Sequence, residues 1–245
     1  MGILFTFSPP FIAHRGASRY APENTLSAFL KAKELGAHWV EFDVMLSRDG
    51  VAVVFHDETV DRTTNGRGRV SDSDFSYLRT LDAGSWFDPR FAGEKIPSFR
   101  EVIACLHQHS LAANVEIKAL PGREKETVET VLLDIQREWK SKTPPLISSF
   151  SPIVLRQVRA LSPAASLALL IHQWFVGWEE WCEELHCVAV DVNCDILTPE
   201  KVNEIKEMDR FLLSYTVNDS ALAKKLFSWG VDAVFTDDLG IIALR

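Results

Sequence analysis

The feature that most constrains this chain is a regular alternation of short β-forming runs with longer stretches of helical period. Eight runs read as strands: Phe11–His14, Trp39–Asp43, Ala113–Lys118, Leu146–Phe150, Leu167–Ile171, Cys187–Asp191, Phe211–Val217 and Asp232–Thr236. Between most of them apolar residues recur three and four apart, as in Val128, Val131, Leu132 and Ile135, or Val202, Ile205 and Met208, which is the stripe of an amphipathic helix. Punctuation agrees with that reading. Asn24 can cap the first helix and Gly36 can close it. Ser98 with Glu101 makes a capping box, Ser151-Pro152 and Thr198-Pro199 place a cap before proline, and Gly230 closes the last long helix. Eight strand–helix units in 245 residues predict a (β/α)8 barrel.

One segment breaks the alternation. Between Asp43 and His56 there is no room for a helix, only Val44–Ser47, a turn at Arg48-Asp49-Gly50 and a second β-rich run, Val51–Phe55. Asp-Gly between β-formers signals a hairpin. The residues after it, up to Pro97, are rich in Gly, Asp, Arg and Ser, so the stretch 47–97 reads as a hairpin-and-loop insertion after the second strand of one domain spanning 1–245. A doubly wound open sheet is the competing architecture, but no GxGxxG follows the first strand.

Composition narrows the function. A hydrophobic share of 47% with 24% charged residues fits a globular core. The longest apolar runs, such as Leu167 to Ile171, are far shorter than the roughly 18 residues that a membrane span needs. A net charge of −8 with no Lys/Arg block makes nucleic acid a poor partner. Cys105, Cys182, Cys187 and Cys194 form neither a CxxC nor a disulfide framework, and Met1–Phe11 lacks a basic segment and a small-residue cleavage site. The expected compartment is the cytoplasm.

In a barrel the reactive groups stand at the C-terminal ends of the strands. His14 and Arg15 end the first strand. Glu41 and Asp43 lie two apart on the second and share a face, and Glu116 and Lys118 repeat that spacing on the third. His56 closes the hairpin, which returns it towards Asp43. Lys118 could simply neutralise Glu116, and Glu41 with Asp43 could be salt-bridged. Together, however, three inward carboxylates face only two cations, Arg15 and Lys118, and burial makes that imbalance costly. A divalent cation restores the balance, and an all-carboxylate set suits Mg²⁺ or Ca²⁺ better than Zn²⁺. Two imidazoles beside a hard cation, Arg15 and Lys118 point to phosphate ester cleavage, one histidine as base and the other as acid.

The ordered set His14-Arg15-Gly16, Pro22-Glu23-Asn24-Thr25, Glu41-Phe42-Asp43, His56-Asp57, Arg62-Thr63-Thr64, Glu116-Ile117-Lys118, Tyr215-Thr216-Val217-Asn218 and Thr236-Asp237 resembles the glycerophosphodiester phosphodiesterase family. The resemblance implies a barrel with a small insertion after strand two, and release of sn-glycerol 3-phosphate from glycerophosphocholine or glycerophosphoethanolamine with Mg²⁺ or Ca²⁺. It implies His14 and His56 as the acid/base pair, Glu41, Asp43 and Glu116 as metal ligands, and Arg15 and Lys118 as phosphate contacts. Length and the missing leader are similar to the bacterial cytoplasmic members. Tyr215 stands where many members have Trp and keeps an aromatic wall; Asp237-Asp238-Leu239 departs from a Thr-Asp-Pro ending. Trp86 and Phe87 could floor a glycerol pocket or belong to the core. Two further readings stay open. A lysophospholipase D or phosphatidylinositol phospholipase C would need an apolar rim, which the sequence does not display, and a non-catalytic phosphate-binding barrel would not need both histidines.

Overall fold

Nine strands form a single sheet: β1 (Phe11–His14), β2 (Trp39–Leu46), β3 (Ala52–Val54), β4 (Ala112–Ile117), β5 (Leu146–Ser149), β6 (Ser166–Ile171), β7 (Ala189–Asn193), β8 (Phe211–Tyr215) and β9 (Ala233–Thr236). In this computed structural model, which describes residues 5–244, β1 pairs in parallel with both β2 and β9, so the sheet closes on itself. Only β3 runs antiparallel, folded back on β2 with Val44 opposite Val54. Eight parallel strands therefore form the barrel, and β3 lies outside that count. The strands are buried on both faces, and β6, Ser-Leu-Ala-Leu-Leu-Ile, is buried at every position, which is why it reads as a continuous apolar run and not as an alternating one.

Helices α1 (Leu26–Glu34), α3 (Phe99–His109), α4 (Glu124–Glu138), α5 (Pro152–Leu161), α6 (Trp178–Glu184), α7 (Pro199–Glu207) and α8 (Ser220–Trp229) link the barrel strands, and the short α2 (Phe75–Leu78) belongs to the insertion. The Ser98–Glu101 capping box forms, and Ser151 and Thr198 cap α5 and α7 ahead of proline. Gly230 ends α8 at a φ of 110°, where a side chain would be strained. The first cap is not the one the sequence suggests. Thr25 accepts from the Ala28 amide, while Asn24 takes a left-handed φ of 57° and turns its side chain into the barrel.

The seventh strand of the chain begins two residues later than its sequence implies. Cys187 still serves α6, donating its amide to the Cys182 carbonyl at 2.9 Å, so β7 runs Ala189–Asn193 and not from Cys187. Asp191 consequently sits inside the barrel and not at its rim. The lower end is closed by Phe5, Ile12, Trp39, Leu146, Leu213 and Phe235, with Phe7 and Phe211 packed beside them. The insertion has a small core of its own around Val53, Phe55, Val60, Leu78 and Ile96. Of the opening stretch read for a leader, residues 1–4 lie outside the described residues.

Candidate active site

The strand ends gather the predicted groups in one place. Glu41, Asp43 and Glu116 each present an oxygen within 4.8 Å of the others. Glu41 and Asp43 are 5% and 1% exposed. At such separations two ionised carboxylates repel by about 3 kcal/mol for an effective dielectric of about 20. The titration of the cluster reflects this. Burial, then Asp43 and Glu116, push the Glu41 carboxyl well above the usual range. Burial and the neighbouring Asp43 push Glu116 up to about 8. Asp43 goes the other way, because Lys118, Arg15 and His56 together outweigh the effect of burial. Asp43 is thus the ionised centre of a cluster with one negative charge too many. Its neighbour Asn24 donates from Nδ2 to Asp43 Oδ2 at 2.9 Å, while Asn24 Oδ1 is buried without a hydrogen-bond partner among the described residues. Three carboxylates and an orphaned amide oxygen, all hard donors, fit a hard divalent cation.

The two histidines are held alike. His14 Nδ1 is 2.7 Å from Asp237 Oδ1, which leaves Nε2 towards the cluster, 3.8 Å from Glu41 Oε2. Asp237 is fixed in turn by Ser18 Oγ and Asn218 Nδ2, whose hydrogen bonds, with that of His14, keep it below the usual carboxylate range against the effect of burial. His56 Nδ1 lies 2.5 Å from Asp57 Oδ1, and Arg62 clamps Asp57 through Nε at 2.6 Å. Burial lowers the His56 pKa from its ordinary 6.5, Asp43 resists the shift, and Arg15 and Lys118 reinforce it. Each imidazole thus has one nitrogen occupied by its own aspartate, which orients the ring and leaves the other nitrogen for chemistry.

Arg15 is positioned by strain and by charge. It adopts a φ of 55°, and Gly16 follows at 81°, where an added Cβ would meet the Ala28 backbone at 2.8 Å. Left-handed φ in a non-glycine residue concentrates at functional sites because the surroundings must hold it. Its amide donates to Glu41 Oε2 at 3.0 Å and its guanidinium to Glu23 Oε1 at 2.9 Å, with Nε 3.6 Å from Asp43. Lys118 Nζ stands 3.6 Å from Asp43 Oδ1, and its charge also acts on Glu116, opposing the effect of burial there.

A cavity of 470 Å³ opens at this end, lined by His14, Arg15, Glu41, His56, Glu116 and Tyr215 among others. Trp86 and Phe87 do not line it. They pack on each other in the insertion, 5.7 Å between ring centroids, and Trp86, which is exposed, donates to the Ala83 carbonyl. The aromatic walls are Phe150, Tyr215 and Phe235. The mouth also shows what the sequence did not display: exposed Phe150, Ile153, Phe175 and Val176 on the segments after β5 and β6. Sequence reasoning gave Asp57, Asp237 and Glu23 no role and made Asn24 only a helix cap, although all four fall inside the motifs that carried the resemblance. Their signal was a carboxylate or amide beside each histidine, metal or arginine motif.

Comparison with known proteins agrees with this geometry. The family model described as the glycerophosphoryl diester phosphodiesterase family matches residues 14–241. A glycerophosphodiester phosphodiesterase of Caldanaerobacter subterraneus subsp. tengcongensis is 38% identical over 236 residues, covering 93% of each chain. One from Bacillus subtilis is 34% identical, covering 92% of this chain and 82% of the relative. An Oleispira antarctica phosphodiesterase, solved in complex with the product sn-glycerol-3-phosphate, superposes with a TM-score of 0.93 at 37% identity over 96% of each chain. The chain belongs to the glycerophosphoryl diester phosphodiesterase family, and it is an enzyme with glycerophosphodiester phosphodiesterase activity.

Proposed function

We propose that the chain converts glycerophosphocholine and glycerophosphoethanolamine to sn-glycerol 3-phosphate and the free alcohol, with His14 as base and His56 as acid. The observation that carries this reading is the pair of imidazoles, each anchored through Nδ1 to its own aspartate, flanking one buried carboxylate cluster in one cavity. The similar Oleispira protein holds sn-glycerol-3-phosphate, which supports the choice of product. Glu41, Asp43 and Glu116 would hold one divalent cation, Mg²⁺ or Ca²⁺, which when bound offsets negative charge on the phosphate oxygens. Arg15 and Lys118 add positive charge to the non-bridging oxygens. His14 Nε2 takes the proton of the glycerol 2-hydroxyl, whose oxygen bonds to phosphorus. His56 Nε2 gives a proton to the head-group oxygen as its bond to phosphorus breaks. Water then opens the cyclic phosphate with the two roles exchanged. The internal nucleophile gains the large effective molarity of an adjacent group.

The same reading takes the barrel and its insertion as one working unit in a reducing compartment, the cytoplasm; all four cysteines are free. Among the described residues no helix is long and apolar enough to cross a membrane. A second reading has one observation in its favour. The exposed Phe150, Phe175 and Val176 at the mouth suit a lysophospholipid, whose acyl chain needs apolar surface. The test is release of sn-glycerol 3-phosphate from glycerophosphocholine, its loss on chelation, and its return with Mg²⁺ or Ca²⁺. Full turnover in excess EDTA defeats the metal assignment. Equal turnover of a substrate without the 2-hydroxyl defeats the cyclic route. A higher kcat/KM on lysophosphatidylcholine selects the second reading.

A further inference from the structure

His56 and Arg15 stand on separate pieces of the molecule, the first just past β3 where the insertion opens and the second in the turn after β1. One run of charged side chains joins them. Asp57, which holds His56 Nδ1, takes the Arg62 guanidinium on both its oxygens, Nε to Oδ2 at 2.6 Å and Nη2 to Oδ1 at 3.1 Å. The other edge of the same guanidinium meets Glu23, Nη1 to Oε2 at 2.8 Å and Nη2 to Oε1 at 2.7 Å. Glu23 Oε1 accepts from Arg15 Nη1 as well, at 2.9 Å. The run therefore reads His56, Asp57, Arg62, Glu23, Arg15, and it bridges the insertion and the barrel.

Exposed ion pairs contribute little to stability, so a run of charges on its own means little. Three observations set this one apart. Both its ends are groups of the chemistry proposed above. Glu23 is fixed through its neighbours in the chain, since Asn24 donates to Asp43 and Thr25 caps α1. Burial opposes ionisation of Glu23, yet Arg62 and Arg15 hold its carboxyl below the usual range. Arg62, finally, spends both edges of a planar fork on two carboxylates, a geometry that a flexible ammonium does not reproduce. The insertion does not depend on the run to stay attached. β3 pairs with β2, and Glu94 accepts from the amide and the hydroxyl of Ser27 on α1. What the run adds is a set span between the imidazole that serves the leaving oxygen and the guanidinium that meets the phosphate.

We propose that Glu23 and Arg62 are positioning residues, a strut that sets His56 on the insertion at a fixed distance and angle from the phosphate held at Arg15. The strut deepens the functional reading given above and rests on the role of His56 as acid. Its action passes through Asp57 and Arg15, without contact with the substrate. A misplacement of about 1 Å at the reacting groups is enough to cost about a hundredfold in rate, so loosening the insertion by that much reaches the chemistry.

The experiment measures kcat and KM on glycerophosphoethanolamine for Arg62→Ala, Arg62→Lys and Glu23→Gln, each checked for folding by thermal unfolding. The Arg62 changes are then repeated in the His56→Ala background. Either Arg62 change should lower kcat about ten- to a hundredfold and move KM far less, whereas Glu23→Gln, which also frees Arg15, should lower kcat and raise KM. On top of His56→Ala, the Arg62 changes should remove almost nothing more, because two changes that disable one group do not add. A nitrophenyl diester of glycerol, whose leaving oxygen needs little help from an acid, should shrink the loss in the Arg62 variants. A full further loss on top of His56→Ala overturns the strut. So does wild-type kcat in Arg62→Lys, which keeps the charge without the fork, and so does wild-type kcat in folded Arg62→Ala or Glu23→Gln. In each of these cases a slow His56→Ala enzyme leaves the acid assignment standing. Wild-type kcat in His56→Ala removes the acid, and the strut with it. Should Arg62→Ala fail to fold, Arg62→Lys and Glu23→Gln decide.

Discussion

The two ends of the barrel interior are built on the same strands and could hardly differ more. Along β2, the inward positions read Trp39, Glu41 and Asp43; along β1, Ile12 is followed by His14; along β8, Leu213 is followed by Tyr215. At the lower end aromatic rings interlock, with Phe7 and Phe5 centred 4.9 and 5.5 Å from the Trp39 ring. At the upper end the same strands converge on three carboxylates that repel one another. A step of two residues, about 6.6 Å, separates the part that stabilises the fold from the part that strains it. The division is physical: apolar burial is favourable in proportion to area, whereas the carboxylate cluster gains only when a cation arrives.

The sharpest way to break the contrast is at the top. Chelation should abolish turnover, and Glu41→Gln, Asp43→Asn and Glu116→Gln should each weaken cation binding, with part of the activity returning at high metal concentration. Isothermal titration calorimetry reads the affinity, and unchanged binding in all three variants would remove the metal site from this cluster. Next come the histidines. His14→Ala and His56→Ala should each lower kcat by about 10² to 10⁴ while the thermal midpoint hardly moves. A glycerol diester with a nitrophenyl leaving group should rescue His56→Ala far more than His14→Ala; equal rescue would reverse or void the assigned roles.

At the lower end the expected outcome is the opposite. Trp39→Ala should cost about 3–5 kcal/mol of stability, the range for deleting a buried aromatic, with kcat per folded molecule retained. Denaturant unfolding together with active-site titration separates the two, and a kcat loss in fully folded protein would show that the ends are coupled. The smallest effect is one of pH. Glu116 holds its proton more tightly in the fold, up to about 8 against an ordinary 4.5. Its contribution is therefore complete below pH 4.5 and is lost as pH rises through 8. Metal-free Glu116→Gln should gain thermal stability over the metal-free parent as pH climbs through that window, and saturating Ca²⁺ should shrink the gain. A difference that is flat with pH would mean that Glu116 is not strained.

What the sequence reveals divides along similar lines. The barrel follows from periodicity alone, and Glu41 with Asp43 declares itself because alternation on a strand is strictly twofold. Asp191 hides because Cys187 and Val188 extend the apolar run backwards, so the strand seems to end where it is still two residues deep. The aspartates behind the histidines hide for different reasons. Asp57 follows its histidine directly, yet neighbours in sequence seldom share a side-chain contact, and Asp237 lies 223 positions from His14. Trp86 and Phe87 stay open in the sequence because a large aromatic in a glycine-rich loop looks the same whether it serves a pocket or a local core. Boundaries and long-range pairs depend on tertiary packing, which no local pattern encodes.

The seam between β1 and β9 also sets an order of events. His14 belongs to the first strand made and Asp237 to the end of the last, and they meet only where Ala13 pairs with Thr236. During synthesis, the other histidine, the carboxylates and the two cations proposed for the chemistry are in hand once β4 and Lys118 after it have left the ribosome. His14, the proposed base, nevertheless lacks its orienting partner until some 120 further residues have followed, a span read from Ile117 to Asp237. A nascent or truncated chain that stops before Ala233 would carry two unpaired strand edges and an untethered His14. Ring closure and the tethering of His14 are thus one event.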